Sequence, residues 1–308
     1  MNFIDGHCDT ILRCYNDKIS FMDGEMHLNN LKMDSANIVL QYFALFIESK
    51  YKPYCGLEQT LKLILFFKKN ILAKIPNFVL VTSHKELQLL GKKKLALLAI
   101  EGAEALGDSL SILEVLFELG IRSIGLTWNQ RNNIGNGCLD TNLGLSKFGI
   151  KVVRKMQEIG MIVDCAHLSE QGLIDVFETS DKPVIISHAN CYALYGHPRN
   201  ISNQNLKLLA QNGGLIGITF VPDFLAPTNA KIDHIITHII HAVEVAGIDH
   251  VALGSDFDGF EDMPVGMEGA QSLHKIVEML IQKGFSKAEI NKITFENHLR
   301  VITNNIPE

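Results

Sequence analysis

Eight short apolar runs, rich in β-branched residues, recur along the chain at residues 2–9, 37–47, 95–102, 121–129, 161–169, 183–190, 214–222 and 250–259. Near-continuous apolar runs of this length predict strands buried on both faces, as in a parallel sheet. Between them the apolar residues fall at helical spacing. Phe148, Val152, Val153 and Met156 line one face of a helix predicted over 145–159, and the helix over 202–211 opens on a capping Ser202. Residues 233–246 and 272–283 read the same way. Strand and helix alternate with no second block of different composition. That predicts an α/β fold, a (β/α)8 TIM barrel, with residues 1–308 as a single domain. An open doubly wound sheet is the rival. Such a sheet often carries a glycine-rich phosphate loop after its first strand, and none stands here. Residues 51–77 are expected to extend the minimal barrel by a loop and a helix.

Composition narrows the function without naming it. Of 308 residues, 47% are apolar and 20% charged, and the net charge is −6, so no nucleic-acid partner is expected. The densest cationic cluster, Lys92 to Lys94, is short and reads as a solvated helix end or loop. No stretch of about 18 apolar residues predicts a membrane-spanning helix. The start of the chain lacks the cationic and apolar segments of an export signal. The six cysteines form no CxxC pair and are expected to be reduced thiols, which makes the cytoplasm the expected location.

The chemistry collects where the predicted strands end, the face on which barrel enzymes build active sites. The first run ends in His7-Cys8-Asp9. By strand alternation its imidazole and carboxylate point the same way, and zinc takes both ligand types. The third run ends in Glu101, which is costly to bury unless paired or metal-bound. The fifth and sixth end in His167 and His188, neighbours on one rim. The eighth ends in Ser255-Asp256-Phe257-Asp258, whose acids share a face by the same alternation.

Each piece alone has a plainer reading. The HxD pair could be a cap at a strand end, Glu101 a solvated residue, and a lone histidine a hydrogen-bonded core residue. Asp256-x-Asp258-Gly259 could open a calcium loop, although Phe260 and Met267 stand where that loop needs oxygens. Together, three imidazoles and three carboxylates are too many for one tetrahedral zinc. They suit two Zn2+ ions sharing a carboxylate and a hydroxide. Glu101 is the natural bridge if His7, Asp9 and Asp256 hold one ion while His167 and His188 hold the other.

At these residues the chain resembles the membrane dipeptidase (renal dipeptidase) family of zinc peptidases, especially its soluble bacterial members. The matching segments are Asp5-Gly6-His7-Cys8-Asp9, Ile100-Glu101-Gly102, Asp164-Cys165-Ala166-His167-Leu168-Ser169 and residues 183–190. His197-Pro198-Arg199-Asn200-Ile201, Gly254-Ser255-Asp256-Phe257-Asp258-Gly259 and Asn297-His298-Leu299-Arg300-Val301-Ile302 match as well. The resemblance implies a two-zinc barrel that cleaves dipeptides, often with a C-terminal D-residue. It implies His7, Asp9 and Asp256 on one ion, His167 and His188 on the other, Glu101 bridging, and Arg199 receiving the substrate carboxylate. It also implies a homodimer. Mammalian members carry a substrate-binding histidine after the fourth strand and a tyrosine after the seventh; this chain has Trp128 and Val221 there.

The expected reaction is attack on the peptide bond by a hydroxide bridging the metals. Asp256 returns a proton to the leaving amine, and Glu101, Asp256, Trp128, Asn129 and Arg199 form the catalytic and substrate-binding set. Asp5 and Asp164 are candidates to orient the ligand histidines, with structural hydrogen bonding an equal alternative. A related amidohydrolase reaction on a lactone, another amide or a phosphotriester is the rival. It is disfavoured because no lysine ends the fourth run, where many such enzymes place a carboxylated bridge.

Overall fold

All eight predicted runs contain a strand, and all the strands pair in parallel. The computed structural model describes every residue except Pro53. Around the ring lie β1 (Phe3–Asp5), β2 (Ile38–Phe46), β4 (Lys94–Glu101), β5 (Ile121–Gly125), β6 (Ile162–Asp164), β7 (Ile185–Ala189), β8 (Leu215–Ile218) and β9 (Val251–Leu253). Gly6 N donates to Leu253 O at 3.0 Å and Asp256 N to His7 O at 3.1 Å, which joins the last strand to the first. The barrel is thus as expected, with one addition. A short strand β3 (Phe78–Leu80) pairs with the first half of β4, and β5 takes over that edge from Leu98 onward. The extension before it forms the helix Gly56–Asn70.

Side chains alternate along each strand and so divide the core in two. Ile4, Leu40, Tyr42, Leu95, Leu97, Ile162, Ile185 and Leu215 belong to one buried cluster with Val301, Ile302 and Ile306 of the chain's end. Phe43, Leu45, Leu98, Ile100 and Ile186 turn the other way, into the larger cluster shared with the helices. The helix Asn297–Asn305 stoppers the barrel at the strands' N-terminal ends. Asn297 Nδ2 donates to Val251 O and Asn305 Nδ2 to Pro183 O, each at 2.8 Å. With that mouth filled, only the opposite mouth is left for chemistry.

Gly6 is required by this packing. A Cβ there would stand 2.8 Å from the His298 ring and 3.0 Å from Ser187 O. His298 is itself fully buried, with Nε2 2.8 Å from Leu253 O and Nδ1 unpartnered. Burial holds its pKa down to about 4, against the opposing bond to Leu253 O, so the folded imidazole is neutral. A pKa below the unfolded value means stability that is complete above about 6.5 and lost as pH falls toward 4. His298 is therefore expected to remove roughly 2–3 kcal/mol of folding free energy between pH 7 and pH 4.5. Urea unfolding of wild type and His298→Gln at both pH values checks this: the variant loses that part of the pH dependence.

Candidate metal centre

Glu101 and His188 stand in the last residues of β4 and β7, while the other four donors come from loops that leave the strands, and the way each loop turns decides where its donor points. His7 and Asp9 lie beyond β1 rather than within it. Asp9 opens the helix Thr10–Asp17 without capping it, so its carboxylate is free to face His7. His167 and Asp256 adopt left-handed backbone, φ +68° and +64°. That conformation is uncommon outside glycine, costs about 1 kcal/mol or more, and clusters at functional sites. Here it turns each side chain over the barrel mouth.

The resulting geometry is compact. His7 Nε2 lies 3.5 Å from Glu101 Oε2, 3.8 Å from Asp256 Oδ1 and 3.9 Å from Asp9 Oδ2. The other oxygen of Glu101 lies 2.8 Å from His167 Nε2 and 3.7 Å from His188 Nε2. Glu101 therefore divides its two oxygens between two groups of donors. All six groups are nearly buried, yet His7 Nε2 and Asp9 Oδ1 have no hydrogen-bond partner. His167 Nε2 and His188 Nε2 meet at 2.9 Å. Buried lone pairs converging on one another are stable only around a shared proton or a cation.

The electrostatics point to a cation. Burial, with the charge of Arg199, holds His167 down to about 3, and burial with the charges of His7 and Arg199 keeps His188 well below its ordinary value. Both are neutral imidazoles, the form that ligates metal. Burial lowers His7 as well, but Glu101, Asp256 and Asp9 outweigh it and raise it to about 10. Burial raises Asp256 to about 6, against the charge of His7, and burial with the charge of Glu101 lifts Asp9 well above the carboxylate range. Burial would also raise Glu101, but its bond to His167 and the nearby charge of His7 win and keep it low. Three acidic groups crowded around one imidazolium, with one of them kept protonated, form a nest in which a divalent ion would replace the protons on His7 and Asp9. The donors fit oxygen- and nitrogen-liganded zinc.

The support beneath the ligands differs from expectation. Asp164 Oδ1 accepts from the backbone of Ala166 and Ser187, and Asp5 accepts from Ser255 and Gln41, so neither touches a ligand histidine. The structural alternative is correct for both. His167 Nδ1 instead donates to Asn129 Oδ1 at 2.7 Å, which leaves the lone pair on Nε2. His188 Nδ1 is 2.8 Å from Ser187 Oγ. Asp258 does not share the face of Asp256. Its own left-handed turn sends it to Thr10 Oγ1 at 2.5 Å and to His27 N at 2.6 Å.

The substrate-side candidates stand around this cluster. The Trp128 ring is 6.2 Å from that of His167. Arg199 is buried at 2% exposure; one Nη donates to His188 O at 2.8 Å, while Nε has no partner. Among the described residues its guanidinium meets no carboxylate. Val221 is buried and offers only hydrocarbon. The sequence reading missed Ser187, for which a serine next to a ligand gives no distinctive signal.

Comparison with known proteins agrees with this architecture. A family model for the membrane dipeptidases matches residues 1–306. Dipeptidase tcpJ of Claviceps purpurea is 36% identical over 67% of this chain and 50% of its own length, so this chain spans about half of that relative. An uncharacterized dipeptidase of Schizosaccharomyces pombe is 29% identical over 97% of this chain and 79% of its own. In structure, a metallopeptidase of Rhodobacter sphaeroides, solved with a phosphinate mimic of L-Ala-D-Ala, superposes with a TM-score of 0.92 at 22% identity over 99% of both chains. Among the described residues no helix is long and apolar enough to cross a membrane, despite the family's name. The chain belongs to the membrane dipeptidase family, peptidase family M19.

Proposed function

We propose that this chain hydrolyses the peptide bond of dipeptides at a centre of two zinc ions. The observation that carries the reading is the division of Glu101 between His7 on one side and His167 with His188 on the other. His7, Asp9 and Asp256 would hold one ion, His167 and His188 the other, and Glu101 both. When bound there, such ions would supply a hydroxide at neutral pH and polarise the scissile carbonyl.

The residues of the chain do the rest. Asn129 and Ser187 fix the imidazoles of His167 and His188 so that both Nε2 atoms face Glu101. Arg199, whose guanidinium meets no carboxylate among the described residues, receives the terminal carboxylate of the substrate and so favours short peptides. Asp256, beside His7, carries a proton to the leaving amine. Trp128 walls the cleft on the side of His167. A glutamate in the bridging place, rather than a carboxylated lysine, favours an amide substrate over a lactone or phosphotriester. The six free cysteines, four of them buried, suit work inside the cell.

Chelation tests the reading. Dialysis against a chelator is expected to reduce hydrolysis of alanyl dipeptides to background, and two equivalents of zinc are expected to restore it. Full activity in metal-free protein would overturn the proposal.

A further inference from the structure

The loops after β2, β4 and β5 enclose a cavity of about 460 Å³ lined by Lys52, Ala103, Glu104, Arg131, Asn132 and Asn133. Lys52 does not extend into solvent. Its side chain is 15% exposed, and Nζ stands 5.2 Å from the centre of the Phe46 ring and 5.1 Å from that of Trp128. These two rings are themselves 5.2 Å apart and form one platform. Glu104, with a side chain only 9% exposed, places Oε1 3.0 Å from that Nζ. Its carboxylate folds back over Gly102, next to Glu101, where any side chain in place of Gly102 would collide with it. The pair therefore borders the metal centre, separated from it by Trp128 and Gly102.

The pair is incomplete. Among the described residues Lys52 Nζ meets one acceptor, Glu104 Oε1, against its three N–H groups, and Glu104 Oε2 has no hydrogen-bond partner. Unpaired N–H groups on a mostly buried ammonium are unfavourable unless a ligand supplies an acceptor. The other linings do not compete for that role. Asn132 is spent on Leu126 O and the backbone of Ile134, and Asn133 on Asp108. The Arg131 side chain is exposed at the rim and forms no ion pair among the described residues. Among the lining side chains two cations stand against one carboxylate, a balance that favours an anionic group over an ammonium.

Ring position says which part of a substrate would reach it. β2 is second around the ring and β7, which precedes Arg199, is sixth, so the two stand opposite each other across the mouth. A dipeptide with its carboxylate on Arg199 and its peptide bond over Glu101 directs its N-terminal residue toward the loops after β2 and β4. We propose that Lys52, held on Phe46 and Trp128 by Glu104, selects dipeptides whose N-terminal residue bears an acidic side chain. This rests on the dipeptidase reading and on Arg199 as its carboxylate anchor. Lys52 acts on specificity and touches no reacting atom.

The test is the ratio of kcat/KM for Glu-D-Ala to that for Gln-D-Ala, two substrates of one shape differing in charge. Because both are measured on the same enzyme, effects of a variant on folding or metal content cancel. Wild type is expected to favour Glu by about tenfold or more. Lys52→Met brings the ratio near one, Lys52→Arg keeps most of it, and Glu104→Gln raises it by removing the opposing charge. A wild-type ratio at or below one overturns the proposal, as does a ratio that Lys52→Met leaves unchanged. Cleavage of Ala-D-Ala without a preference for Glu sinks the pocket alone. Failure to cleave any dipeptide sinks the dipeptidase reading and the pocket with it.

Discussion

Glu101→Gln is expected to lower kcat/KM for a dipeptide by roughly a thousandfold or more, a loss above the range of a single stabilising hydrogen-bond donor. The replacement keeps the size of the side chain and changes two things. One negative charge leaves a buried cluster in which His7 depends on it: Oε2 is 3.5 Å from His7 Nε2 and Oε1 is 2.8 Å from His167 Nε2. One metal-binding oxygen also becomes an NH2 group, which cannot face a cation on whichever side it turns. Either orientation spoils one half of the centre, so bound zinc is expected to fall below two per chain as activity falls. Metal analysis and kcat/KM at a fixed zinc concentration read both. Wild-type activity in Glu101→Gln would rule out a bridging role, whatever holds the ions.

The same cluster shows what a sequence can disclose and what it hides. The strands were legible because each is an apolar run long enough to be buried on both faces, and because a polar ligand ends each run that carries one. His167 and His188 stand out for that reason. Alternation, however, is a property of extended backbone, and it fails where the chain turns. Asp256 and Asp258 are two apart and were expected to face together, but both are left-handed, and Asp258 leaves for Thr10 and His27. His7 and Asp9 do meet, through the start of a helix rather than through strand geometry. The Asn129 contact with His167 spans 38 residues, and that of Lys52 with Glu104 joins two loops with no shared pattern. Such contacts exist only once the ring has closed.

Arg199→Met is expected to lower kcat/KM roughly a hundredfold to a thousandfold on dipeptides with a free C-terminal carboxylate, the range for removing one partner of a buried charge pair. Among the described residues the guanidinium is buried without a counter-ion: one Nη bonds the carbonyl of His188, Nε bonds nothing, and the face of Phe224 lies 5.3 Å away. A buried arginine in this state is unfavourable unless a carboxylate arrives, and the planar fork matches a carboxylate in two bonds. Methionine keeps much of the volume and removes the charge. Its bond to His188 O is also lost, so some general loss of activity is expected from a shifted ligand. The discriminating quantity is therefore the ratio of free acid to C-terminal amide. Wild type should strongly prefer the acid, and Arg199→Met should treat the two alike. Arg199→Lys should recover the charge without the fork and restore only part of the preference. If the acid-to-amide ratio in Arg199→Met stays at its wild-type value, Arg199 supports the loop under His188 and the substrate carboxylate is held elsewhere.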